Sequence, residues 1–216
     1  MIVTVSIHII GIVSPDIADW MAGTRVRGGF IPDGHIDHNN AALQDGEIWR
    51  MVTHALLHSR SLIWHILFNM YWFYLFGPAL ERRVGSVPFA GLYVASAAAG
   101  SAGGFILGPP NMIAVGASGA MFGLLGAWLY ASWRMRSSSI WRQRLNQLAV
   151  VLAINLALPL LVPLIAWEAH LGGLVGGLAV AIGWNWWAVD SNKPEMRRTL
   201  VAITVLLISV GLVLLV

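Results

Sequence analysis

Two short stretches of this 216-residue chain carry side chains able to break an acyl bond. Gly116-Ala117-Ser118-Gly119 opens one strongly apolar segment, and Ala169-His170-Leu171-Gly172-Gly173 opens another. A serine hydroxyl is a weak nucleophile until a base takes its proton, and imidazole is suited to that task near neutral pH. Gly-x-Ser-Gly alone is a weak signal in a chain with 23 glycines. Its placement says more. Gly116 and Gly119 permit a tight turn that leaves the Ser118 hydroxyl open to a substrate main chain. Ser118 also falls at a helix amino terminus, where N–H groups would face an oxyanion. A serine that merely caps a glycine-rich helix is the simpler alternative for the motif taken alone.

A third stretch, His65-Ile66-Leu67-Phe68-Asn69, lies in another apolar segment. Its four-residue spacing puts His65 and Asn69 on one helical face. Polar groups inside a membrane are costly and face a cavity or a partner. Asn69 by itself serves equally well as an interhelical hydrogen bond. Beside Ser118, the imidazole and amide read as donors to a developing oxyanion, together with the backbone N–H of Ser118. After His170 come two G-x-x-x-G spacings, Gly173 with Gly177 and Gly172 with Gly176. They let this helix approach a neighbour near Gly119 and Gly123, as a Ser–His hydrogen bond of about 2.6–3.2 Å requires. Glu168, two residues from His170, points to another face, so a Ser118–His170 dyad is expected rather than a triad.

The elements that must position these groups are apolar helices. The chain is 57% hydrophobic and 11% charged, with a mean hydropathy of +0.71, too apolar for a soluble domain of this length. Seven segments can be drawn, about Ile2–Val13, Ser61–Leu80, Pro88–Leu107, Ala117–Trp133, Gln147–Trp167, Ala169–Val189 and Thr199–Val216. Six have a length near the roughly 17–25 residues that cross a bilayer. The first is short and soon meets Pro15, Asp16 and Asp19; it either tilts on toward Ala22 or begins upstream of this chain. An all-α integral membrane protein is therefore expected, a single domain over 1–216 with its core at 47–189 and an extra C-terminal helix at 199–216. No small-residue cleavage site follows the apolar run at Met1.

Loop charge predicts orientation. Nine of the 13 Lys and Arg residues (Arg82, Arg83, Arg134, Arg136, Arg142, Arg144, Lys193, Arg197 and Arg198) follow the second, fourth and sixth segments. Arg25, Arg27, Arg50 and Arg60 lie in the 24–60 loop. The positive-inside rule then puts the amino terminus in the cytoplasm and that loop outside. Segments two, four and six run the same way, so His65, Asn69, Ser118 and His170 fall within about 12 Å of one another in depth, in the outer half of the membrane. Trp184, Trp186 and Trp187 suit either the cytoplasmic interface or the bundle interior. The net charge of +3 comes from loops rather than a basic face, which argues against nucleic acid as a partner. With no cysteine, disulfides, thiolate catalysis and zinc–thiolate sites are excluded.

At these residues the chain resembles the rhomboid family of intramembrane serine proteases, from Glu47 to Gly177. Trp49-Arg50, then Thr53-His54-Ala55-Leu56-Leu57-His58 and His65-x-x-x-Asn69, are similar to the family's first loop and second helix. Gly77, Glu81 and Gly85-Ser86 follow as they do there, then the Ser118 motif through Gly123, then Ala169-His170-x-x-Gly173-x-x-x-Gly177. The resemblance implies a bundle of six core transmembrane helices plus a seventh. Ser118 would be the nucleophile, His170 the base, and His65 with Asn69 the oxyanion donors. Phe122 would pack on the imidazole, where some members have tyrosine. The resemblance implies no cofactor, single-pass membrane-protein substrates with small or helix-loosening residues at the cut, and a setting in the lipid bilayer. Segment five, with Pro159 and Pro163, corresponds to a proposed lateral gate. A bacterial inner membrane is the expected location.

Three other readings are open at this point. A rhomboid-like protein without activity would bind membrane clients, although such proteins usually lack the serine or the histidine. His54, His58 and His65 could hold a metal, but Ala55 stands where His-Glu-x-x-His has its glutamate. A transporter would show inverted repeats and paired broken helices, and neither is visible.

Overall fold

The computed structural model describes residues 2–14, 43, 47–59, 63–108, 115–162, 165–188 and 192–216. Among them every regular element is helical. We label the α-helices α1 (Ile2–Val13), α2 (Arg50–Thr53), α3 (Ile63–Val84), α4 (Ser86–Leu107), α5 (Ser118–Arg134), α6 (Ser139–Ala157), α7 (Trp167–Gly183) and α8 (Pro194–Leu214). Each expected hydrophobic segment carries a helix. Two of these, α4 and α8, are by themselves long and apolar enough to cross a membrane.

The centre of the bundle is α4, α5 and α7, and small residues put it there. Ser96 and Ala97 through Ala102 are almost wholly buried, so α4 can be gripped by helices on several sides. Gly172 and Gly176 of α7 face α4: a Cβ at Gly172 would come within 2.3 Å of the Ala99 carbonyl oxygen, and one at Gly176 within 2.5 Å of the Ala99 Cβ. Gly173 and Gly177 face α5 instead, where a Cβ would come within 2.0 Å of the Gly119 oxygen and 2.1 Å of the Gly123 oxygen. One helix thus uses two offset glycine pairs to bring its backbone against two neighbours.

These contacts fix direction. Gly119 pairs with Gly173, Gly123 with Gly177, and Gly126 with Leu178, so α5 and α7 run parallel. The Trp128 indole donates to the Phe76 carbonyl at 3.0 Å, and His65 lies beside Gly116, so α3 runs parallel to both. Between them α4 runs the other way, with Gly103 beside Glu168 and Gly100 beside Gly119. The last helix, α8, begins at Pro194, a residue preorganised for a first helical turn, and lies along α4 with Ala202 against Gly91. On the outside, α3 and α6 each pack on α5 and meet each other only weakly.

Helix ends differ from the sequence expectation at several places: α3 runs on from Leu80 to Val84, and α8 starts at Pro194 rather than Thr199. The fifth segment was expected from Gln147, yet α6 starts at Ser139, because Ile140, Trp141 and Leu145 continue the helical pattern through the arginines. It closes at Ala157 with a 3₁₀ turn over Leu158–Leu160, where Pro159 has no N–H to extend the helix. The end of α7 widens into a π-turn over Trp184–Ala188, which divides the tryptophans: Trp184 is buried and donates to the Arg198 carbonyl, whereas Trp186 and Trp187 point outward. Pro163, the expected extension of segment one to Ala22, and the 24–42, 44–46 and 60–62 parts of the long loop lie outside the described residues.

Candidate active site

Ser118 is the first residue of α5, and the chain reaches it through a built turn. Gly116 has φ +117°, a conformation L side chains rarely adopt, and its N–H donates to the His54 carbonyl at 3.1 Å. The next N–H, of Ala117, points to His58 Nε2 at 3.5 Å. His54 and His58 therefore brace the turn that presents Ser118. His54 is itself anchored through Nδ1, which donates to the Arg50 carbonyl at 3.0 Å, and Arg50 is ion-paired with Glu47. Each histidine thereby commits one ring nitrogen to backbone, Nδ1 in His54 and Nε2 in His58. Among the described residues no group of three His, Asp or Glu is arranged to hold a metal ion.

Burial pushes the pKa of both histidines down. That of His54 falls below the usual histidine range because the ring is enclosed, against the pull of its bond to Arg50. Burial, then the neighbouring His65 and His8, lower that of His58 to about 3. Both are neutral near pH 7, and His58 must be so to accept the Ala117 N–H.

His170 lies in the first turn of α7 and faces α5. Its ring stacks on Phe122, with centroids 4.3 Å apart and planes 12° from parallel. Phe122 is one helical turn beyond Ser118 and so shares its face. Trp72 of α3 also lies near-parallel to Phe122, with centroids 6.2 Å apart, so rings from three helices meet here. Gly119 follows Ser118 directly and Gly173 lies one helical turn after His170, and their contact brings the two backbones together there. His170 Nδ1 is buried without a hydrogen-bond partner among the described residues, so stacking rather than a carboxylate orients this ring.

His65 and Asn69 lie in the first two turns of α3, at the same end of the bundle. The Ser59 N–H points to His65 Nδ1 at 3.4 Å, which leaves the ring proton on Nε2. That nitrogen abuts Gly116, where a Cβ would come within 2.6 Å of it. Asn69 is buried and gives one amide N–H to the His65 carbonyl at 2.8 Å, leaving its second N–H for another acceptor. The structure thus brings Ser118, Phe122, His170, His65 and Gly116 to one end of three parallel helices. Asn69 lies one turn deeper.

A family model of the rhomboid domain matches residues 45–187. The chain belongs to the rhomboid family. It is 35% identical over 154 residues to the rhomboid protease GlpG of Haemophilus influenzae, covering 69% of this chain and 73% of that protein. It is 34% identical over 175 residues to the rhomboid protease GluP of Bacillus subtilis, covering 80% of this chain but only 32% of GluP. YdcA of Bacillus subtilis is 35% identical over 142 residues, with 66% of this chain and 70% of YdcA covered. No solved structure matches at a significant level. As a rhomboid-family chain this is a membrane protein, and the family relation suggests an intramembrane protease.

Two residues around this cluster of side chains are not evident from motif reading. Trp72 was available as a signal, since 65, 69 and 72 fall on one helical face at spacings of four and three. His8 was not: it is a lone histidine in a short apolar segment. In the fold its ring meets His58 edge-on at 6.1 Å, and His58 meets His65 at 5.1 Å.

Proposed function

We propose that this rhomboid-family chain is a serine endopeptidase that cuts transmembrane segments of single-pass membrane proteins through a Ser118–His170 dyad. The observation that carries the reading is the stack of His170 on Phe122, one turn from Ser118, across the α5–α7 seam. It sets the candidate base over the face that bears the candidate nucleophile.

In this reading Ser118 Oγ attacks the scissile carbonyl while His170 takes its proton. The oxyanion faces the Nε2–H of His65, the Ser118 backbone N–H at the start of α5, and the second amide N–H of Asn69. His170 then protonates the leaving amine, and water repeats the cycle on the acyl-enzyme. No bound cofactor enters any step. Substrate helices must unwind locally, because an intact helix holds its carbonyls in its own hydrogen bonds. The weak α3–α6 contact and the Pro159 break support entry between these helices. The charge pattern supports six core spans plus α8, with the amino terminus in the cytoplasm of a bacterial inner membrane.

The test is cleavage of a tagged single-pass protein by purified enzyme in liposomes, with Ser118→Ala and His170→Ala alongside. Cleavage by the wild type alone is expected. Cleavage surviving in Ser118→Ala would remove the assigned nucleophile. Folded wild-type protein that cuts none of several substrates would favour the client-binding alternative.

A further inference from the structure

At the end of the bundle opposite Ser118, two arginines converge on the same pair of rings. Arg144 of α6 lies 3.9 Å from the Trp128 ring centre and 5.6 Å from that of Trp141. Arg83 of α3 lies 5.2 Å and 4.9 Å from the same two rings. Among the described residues no carboxylate pairs with either guanidinium; Glu81, the nearest acid in sequence, bonds Ser86 instead. A guanidinium held over an aromatic face keeps its N–H donors in its own plane, directed away from the ring and able to bind an anion. Two like charges held this close also favour an anion between them.

A cavity of about 490 Å³ opens beside this pair, between α3 and α6. Its lining changes character along α6. Gln143, Arg144 and Gln147, with Ile140 at the outer edge, form the end near the arginines, while Leu148, Val151 and Phe76 of α3 line the rest. From Arg144 to Val151 the helix rises about 10 Å. A charged, amide-rich mouth above an apolar slot matches one molecule in shape and sign: a lipid with an anionic phosphate headgroup and an acyl chain. A free anion would use only the mouth, and a neutral lipid only the slot.

We infer that the α3–α6 groove is a binding site for an anionic phospholipid, its phosphate on Arg83 and Arg144 and one acyl chain along Phe76, Leu148 and Val151. None of these residues belongs to the Ser118–His170 site, and the groove lies at the other end of the α3–α6 interface from that site, so the inference does not rest on the dyad. It needs only a bundle embedded in lipid. Basic pockets between transmembrane helices take such headgroups on the cytoplasmic side.

The experiment is native mass spectrometry of the purified full chain in detergent, titrated with phosphatidylglycerol or with phosphatidylcholine of identical chains. One phosphatidylglycerol should be retained, preferred by about tenfold from the two guanidiniums. Arg83→Gln/Arg144→Gln should fall to the phosphatidylcholine level with its melting temperature kept. Arg142→Gln, which removes a nearby charge outside the stack, should retain the preference. Val151→Trp should block retention with both arginines present. An unchanged preference in the double variant, an equal loss in Arg142→Gln, or full displacement by inorganic phosphate would overturn the site.

Discussion

His170 lies flat against Phe122, with ring centroids 4.3 Å apart and planes 12° from parallel. With Nδ1 of His170 unpartnered among the described residues, this contact does the orienting that a carboxylate does in a triad. Phe122→Leu keeps apolar volume and removes the stack. An aromatic pair contributes about 0.5–1.5 kcal/mol, so cleavage in liposomes should slow roughly two- to tenfold with little change in melting temperature. Phe122→Tyr should cut at a near wild-type rate. A wild-type rate in Phe122→Leu would show that the ring does not hold the base.

The α5–α7 seam has no room for a methyl group. Gly173→Ala would place Cβ 2.0 Å from the Gly119 oxygen, and neither backbone can yield without moving its helix. A loss of about 3 kcal/mol, the upper end of overpacking costs, is expected and is read as a large fall in thermal stability in micelles. Gly211→Ala is the matched control. Nothing lies within 4 Å of its Cβ, and a helical Gly-to-Ala exchange should raise stability by about 0.5–1 kcal/mol. Equal behaviour of the two variants would contradict the packing described.

Acid should destabilise the fold through the histidines that brace the Ser118 turn. His58 titrates near 3 in the fold and near 6.5 when unfolded, so the unfolded chain gains a proton that the folded chain refuses. Stability is therefore full above pH 6.5 and falls progressively toward pH 3, by about 1.4 kcal/mol per pH unit, or roughly 2 kcal/mol by pH 5. His54 adds a loss of the same sign. His58→Gln keeps an acceptor for the Ala117 N–H without titrating, so its melting temperature should vary less between pH 7 and pH 5. Identical pH slopes in wild type and His58→Gln would place the acid sensitivity elsewhere.

Much of this architecture is legible in the sequence because membrane helices are written in local terms. Apolar length gives the segments, and the two offset G-x-x-x-G pairs of α7 announce a helix that must touch two others. The Ser118 turn is legible through Gly116, whose φ of +117° only glycine takes readily. The start of α6 was hidden because Arg142 and Arg144 interrupt the apolar run. In the fold Arg144 rests on Trp128, a long-range contact that no window around residue 144 contains. His8 was hidden for the same reason: its partner, His58, is fifty residues away and approaches it only once α1 has docked.

The bundle divides into parts that can move and parts that cannot. Carbonyls of α4 and α5 lie against glycines of α7 with no side chain between them, so these three helices form one block, with α3 and α6 clipped to its side. Ser118 and His170 both belong to the block. If they are the dyad, catalysis needs no assembly step on substrate arrival, and little reorganisation energy is spent at the moment of reaction. Selectivity would then be a matter of waiting time. A passing helix would be cut only if it unwound before it diffused away, and such an enzyme would be a timer of helix stability more than a reader of sequence.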